Sequence, residues 1–270
     1  MGDWPTLSDG ALFADIGTTL ASSAYKYITA GQSNVKGSWI ELISSTSQKV
    51  DGFWFSMELG GASGCYLIDI GIGAADYEIP ILTDLFYSRN GAQCCSYFPL
   101  PIPAGTRVSA RAQYYTTGAA GVNVGILLQS VGFLPSPVLS RCITYGADEA
   151  TTLGVAVDAG AVAHTKGAWT EIIASTTNPI KMLFAINGMD HGWGGYYRYL
   201  FDIGIGSEDS EIVVVPNRYF KNPNTGHFNP NVFGPFPVNI PAGSRLAVRM
   251  QASTTDAADR VVSFVLYGVD

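Results

Sequence analysis

The run Ile68-Asp69-Ile70-Gly71-Ile72-Gly73 returns 133 residues later as Phe201-Asp202-Ile203-Gly204-Ile205-Gly206. Two other motifs flank it in the same order. Lys36-Gly37-Ser38-Trp39-Ile40-Glu41-Leu42-Ile43 matches Lys166-Gly167-Ala168-Trp169-Thr170-Glu171-Ile172-Ile173, and Ile102-Pro103-Ala104-Gly105-Thr106-Arg107 matches Ile240-Pro241-Ala242-Gly243-Ser244-Arg245. The offset drifts from 130 to 138 residues, as loop insertions would make it. Recurrence of this kind is the mark of a domain of roughly 120 residues duplicated in tandem. The chain divides into an arm over 1–10, a first domain over 11–130, a Pro-containing linker over 131–150 and a second domain over 151–270. Pro135 and Pro137 make that linker an extended, fairly stiff connector, which predicts two domains held at a defined separation.

Short runs rich in Val, Ile, Tyr, Phe and Thr, bounded by Gly, Pro, Asn or Asp, predict strands in the second copy. They fall near 151–157, 168–175, 180–188, 196–205, 211–216, 235–240, 244–253 and 260–268. In Arg245-Leu246-Ala247-Val248-Arg249-Met250-Gln251 the apolar side chains alternate with the arginines and Gln251. No stretch carries the period of a long helix. The expectation is an all-β protein of two tandem β-sandwiches, jelly-roll-like in topology.

Composition narrows the function classes. Charged residues are 14% of the chain and hydrophobic ones 47%, which leaves a largely neutral surface of the sort that packs against neighbours. The formal charge of −7 argues against a nucleic-acid partner. No apolar run approaches the roughly 20 residues of a membrane-spanning helix. The start, Met1-Gly2-Asp3-Trp4-Pro5, lacks the features of a signal peptide, so the expectation is synthesis and assembly in cytoplasm. Cys65, Cys94, Cys95 and Cys142 have no counterparts in the second domain and no metal-ligand spacing, so they read as reduced thiols.

Asp69 and Asp202 sit on the duplicated strand, and Arg107 with Arg111 and Arg245 with Arg249 share a strand face in each copy. A catalytic reading would make the aspartate an acid or base. Because the same groups recur in both halves while the loops around them differ, they read as structural ion pairs or a cross-strand ladder. Gly204 and Gly206 read as sites of close backbone approach or a bulge. The segment Asp190-His191-Gly192-Trp193-Gly194-Gly195-Tyr196-Tyr197 is the candidate ligand or partner loop, since an acid, an imidazole and three aromatics there could stack on a sugar ring. The Asn- and Pro-rich stretch from Arg218 to Phe236 reads as a long loop suited to binding. No nucleophile elbow or zinc-protease motif occurs, and no cofactor, metal or catalytic residue is expected.

The runs at 166–176, 201–206 and 237–249, with their counterparts in the first copy, resemble β-rich virion proteins of tailed bacteriophages. That resemblance implies a non-enzymatic structural role in the virion. The expected partners are the major capsid protein or other virion proteins, and the resemblance supplies no catalytic residues. A capsid decoration protein is the leading expectation. A tail or fibre protein that recognises a host receptor or glycan is a second, and a double jelly-roll major capsid protein a third. Three chains would present six similar domains, so a homotrimer is the expected oligomer.

Overall fold

A computed structural model describes residues 25–58, 64–89, 94–116, 120–129, 139–190, 198–221, 231–255 and 261–270, together with the backbone of 13–16. Strands make up all of its regular secondary structure. The first copy contributes β1 (Phe13–Ile16), β2 (Lys26–Thr29), β3 (Ile40–Ile43), β4 (Gly52–Glu58), β5 (Gly64–Ile72), β6 (Ile79–Arg89), β7 (Cys94–Phe98), β8 (Val108–Tyr114) and β9 (Gly121–Gln129). The second contributes β10 (Cys142–Tyr145), β11 (Val155–Asp158), β12 (Thr170–Ile173), β13 (Ile180–Asp190), β14 (Arg198–Ile205), β15 (Ile212–Lys221), β16 (Asn231–Ile240), β17 (Leu246–Ala252) and β18 (Val261–Val269).

The pairing is the same in both copies. In the second, β11, β18, β13 and β16 form one antiparallel sheet and β12, β17, β14 and β15 the other. Numbering the eight strands from β11, this is the order 1-8-3-6 facing 2-7-4-5, which is a jelly roll. The first copy repeats it from β2, with β9, β4 and β7 in one sheet and β3, β8, β5 and β6 in the other. The fold is therefore all-β, two tandem jelly-roll sandwiches. Each has an additional leading strand, β1 or β10, laid along β9 or β18 beyond the end of β2 or β11.

Alternation explains the core of each sandwich. On β14, Tyr199, Phe201 and Ile203 point inward and meet Leu246, Val248 and Met250 of β17 and Leu183, Ala185, Phe264 and Leu266 of the facing sheet. The turns that link the layers are also duplicated. Gly105 and Gly243 adopt φ of +74° and +80°, and each donates its N–H to the carbonyl of a buried threonine, Thr46 or Thr176, at 2.7 Å. The Pro-Ala-Gly motif is thus a turn in which glycine supplies a left-handed residue.

The linker differs from its expectation. Residues 130–138 lie outside the described residues, but 142–145 are a strand within a sheet. β10 runs antiparallel to β18 of its own domain and parallel to β6 of the first, with Cys142 opposite Leu82. The result is one nine-stranded sheet that crosses from domain to domain, so the two sandwiches adjoin directly rather than stand apart. The physical reason is the apolar outer face of the second domain's β13 and β18. Met182, Phe184, Ile186, Val265, Tyr267 and Val269 belong to the core cluster of the first domain, not to their own. Phe98 packs against Phe53 at 5.8 Å on one side and Phe184 at 5.5 Å on the other, with Tyr267 edge-on at 6.4 Å. The Tyr267 hydroxyl accepts the Phe86 N–H across the boundary at 2.6 Å, and Thr144 donates to the Thr83 carbonyl.

The other strand expectations of the second copy each meet a strand with shifted ends. The stretch from Arg218 to Phe236 is shorter as a loop than expected. β15 runs on to Lys221 and β16 begins at Asn231, because Tyr199 pairs with Phe220 and Asn187 with Asn231. Only 222–230 remain, outside the described residues.

Removing the hydroxyl in Tyr267→Phe takes the acceptor from a buried N–H, which costs about 1–3 kcal/mol. Urea unfolding should show that loss in one transition. A first domain that keeps its wild-type midpoint while the second shifts would contradict the shared core.

Candidate functional site

The recurrent motifs meet on the outer face of the sheet that contains β5 in the first domain and β14 in the second. Asp69 and Asp202 are nearly fully buried there, at 1% and 3% exposure. Asp69 Oδ1 accepts from Lys36 Nζ at 2.7 Å and from the Asp84 N–H at 2.8 Å, and its Oδ2 from Arg111 Nε at 2.7 Å. Asp202 repeats this with Lys166 at 2.8 Å, the Asn217 N–H at 2.8 Å and Arg249 at 2.9 Å. Asp84 and Asn217 have φ of 52° and 48°, at the register break where β6 and β15 leave their ladders. A carboxylate that takes the N–H of this left-handed residue holds the bulge in place.

The glycines belong to the same assembly. A Cβ on Gly71 would lie 2.8 Å from the Trp39 ring, and one on Gly204 would lie 2.7 Å from Trp169. Here an indole, not another backbone, makes the close approach the sequence predicts. Arg111 and Arg249 then lie 4.5 Å over those same indoles, so each arginine is held by a ring and a carboxylate together.

Only the second arginine of each copy reaches the aspartate. Arg107 instead bridges Glu41 at 2.8 Å and Glu78 at 2.7 Å, and Arg245 bridges Glu171 at 2.7 Å and Glu211 at 2.6 Å. Each also donates to the carbonyl of Gly73 or Gly206, whose φ is +116°. Sequence reasoning missed Lys36, Lys166, Glu78 and Glu211. The lysines and Glu41 were visible as recurring letters of the first motif, but nothing in the spacing said which carboxylate met which cation.

Burial raises the Asp202 carboxyl, but donors from Lys166, Asn217 and Arg249 outweigh it and hold the group below its ordinary value. Burial likewise raises Glu78, and the Arg107 hydrogen bond, backbone hydrogen bonds and the charge of Arg107 together more than offset it. Burial draws the Lys166 ammonium down, against the pull of Asp202. Asp202 is held ionised between two cations and Glu78 beside one, which suits a fastener and not a proton donor.

Asp190 ends β13 opposite Val262, and its side chain lies outside the described residues, as do His191, Trp193, Tyr196 and Tyr197. Cys65 and Cys142 are buried, and burial pushes the Cys142 thiol up, away from the reactive thiolate. Cys94 and Cys95 sit on β7 with side chains outside the described residues. Among the described residues no group of His, Cys, Asp and Glu has the arrangement of a metal site. An open cavity of about 200 Å³ lies on the second domain against β14, β15 and β17, with His164, Arg198 and Tyr219 in its wall.

No protein-family model matches the chain, and no curated protein does. Among solved structures it is similar to the N-terminal CBM22-1–CBM22-2 tandem domain of Paenibacillus barcinonensis Xyn10C, at 11% identity over 98% of this chain and 91% of that one. The TM-score is 0.25, too low to bear on ligand or function.

Asp202→Asn leaves Lys166 and Arg249 without their charge partner, a loss of about 3 kcal/mol. The pH dependence has a definite sign. A carboxyl whose folded value is below 3.8 stabilises the fold above that value, and the contribution is lost as pH falls through the folded value. Acid unfolding of the wild type should therefore steepen below pH 3.8, and Asp202→Asn should flatten that part of the curve. Equal acid slopes for the two proteins would contradict the role given to Asp202.

Proposed function

We propose that this chain is a non-enzymatic structural protein of a bacteriophage virion, bound to the outside of the shell as a decoration protein. Its partner is the major capsid protein, and a trimer places six jelly rolls around one site. The observation that carries this reading is how the recurrent charged groups are used. Asp, Glu, Lys and Arg of both copies are spent on one another within the scaffold, and the two scaffolds are joined as a block through one sheet. Such a block offers rigid, largely neutral faces for repeated contacts, and linked domains raise effective concentration on a lattice.

A second reading is favoured by the strand order itself. Two jelly rolls of identical pairing side by side in one chain also suit a double jelly-roll shell protein. The two readings part on one experiment. A decoration protein added to shells assembled without it should co-sediment with them and raise their melting temperature, while the protein by itself forms no closed particles. Closed particles from this chain alone would favour the shell reading. Neither binding nor particle formation would refute both.

A further inference from the structure

The two domains are alike, but their surroundings are not. β6, the edge strand of the first domain's β5 sheet, is covered by β10. Its counterpart β15 ends the order β12-β17-β14-β15, with no strand on its outer edge among the described residues. Tyr219 of that strand is 55% exposed. The position of Tyr219 is held in the first domain by Phe86, which is 1% exposed under the second domain.

The cavity beside β15 has a counterpart too. In the first domain the segment Asp148 to Leu153 enters it from the second. Thr152, fully buried, donates to Asn34 Oδ1 at 2.7 Å and accepts from Gln113 Nε2 at 2.7 Å, while Gln113 also donates to the Glu149 carbonyl at 2.8 Å. Leu153 packs on the core of the first domain. His164 and Gln251 stand in the second domain where Asn34 and Gln113 stand in the first. His164 and Asn34 share a left-handed backbone and the same N–H bond, to Ala252 and to Tyr114. The cavity lined by His164, Arg198, Leu200, Tyr219, Gln251 and Ala252 is therefore the same socket without its plug.

The matching partner face belongs to the first domain. β1 holds on β9 the place that β10 holds on β18, with Phe13 opposite Gln129 as Cys142 is opposite Val269. The outer face beside it matches as well. Trp54 and Leu127, both half-buried, occupy the positions of Phe184 and Tyr267.

We propose that the second domain's β15 edge and its cavity bind the first domain of another copy of this chain, reproducing between chains the junction that joins the domains within one. The contact is head to tail, so it closes into a ring or extends as a filament. It goes beyond the virion reading and holds whether or not that reading does. The socket is not a duplicate in every residue. Pro216, Arg218 and Arg198 replace Thr83, Leu85 and Cys65. Proline and charge on an exposed edge suppress indiscriminate strand pairing, so the contact between chains is weaker than the junction within one and forms as concentration rises.

The test is sedimentation velocity of the full chain over a concentration series, with Tyr219→Asp altering the socket and Trp54→Asp altering the opposite face. Circular dichroism checks that both variants are folded. The wild type should form species larger than one chain as concentration rises, and each variant alone should lose that association at least tenfold. An equal mixture should form dimers and stop there, because each variant supplies the one intact face that the other lacks. A wild type that remains a single chain throughout overturns the proposal. So do variants that associate as the wild type does, or a mixture that forms no dimers.

Discussion

Each half of the molecule is organised around a carboxylate that water scarcely reaches. Asp69 and Asp202 each gather a lysine from the segment before β3 or β12, an arginine from β8 or β17, and a backbone N–H from the bulge in β6 or β15. A buried charge with fewer donors would be costly. With three, it ties segments that are far apart in sequence to one face of one strand. The neighbouring residues are then constrained in turn. The residue at the bulge must tolerate a left-handed backbone, and the next position on the aspartate's own face must be glycine so that an indole can lie over it. The indole in turn supports the arginine that binds the aspartate.

This interdependence accounts for what was legible in the sequence. A cluster whose members each require the others survives duplication as a set, so Lys-Gly-x-Trp-x-Glu, Asp-Ile-Gly-Ile-Gly and Pro-Ala-Gly-x-Arg stand out as paired motifs in the bare sequence. Alternation on β17 and its neighbours made the sandwich legible as well. The partners within the cluster were not legible. Lys36 lies 33 residues from Asp69 along the chain, and only the jelly-roll crossing brings them together. β10 was hidden for a related reason. Cys142 to Tyr145 are strand formers by type but only four residues long, too few to show alternation, and what fixes them as a strand is the pair of edges, β18 and β6, between which they lie.

The second domain's β13 and β18 show how one duplication gave two surroundings. Their inner faces fill their own sandwich, and their outer faces fill part of the first domain's core. Residues in the same places on β4 and β9 are Gly52, Trp54, Ser56, Gly125, Leu127 and Gln129, a less apolar set. The two copies have therefore diverged where their neighbours differ and have kept their motifs where the neighbours are the same. Exposed positions follow this rule too: Ile79 and Ile212, equivalent and both outside the junction, are 67% and 68% exposed.

The two jelly rolls form a single block with a common sheet and a shared core. Scanning calorimetry tests this directly, through the ratio of calorimetric to van't Hoff enthalpy. One transition with a ratio near one is the predicted result, measured at concentrations where the chain is not self-associated. Two resolved transitions, or one peak with a ratio near two, would mean that the domains melt independently and would contradict the shared core.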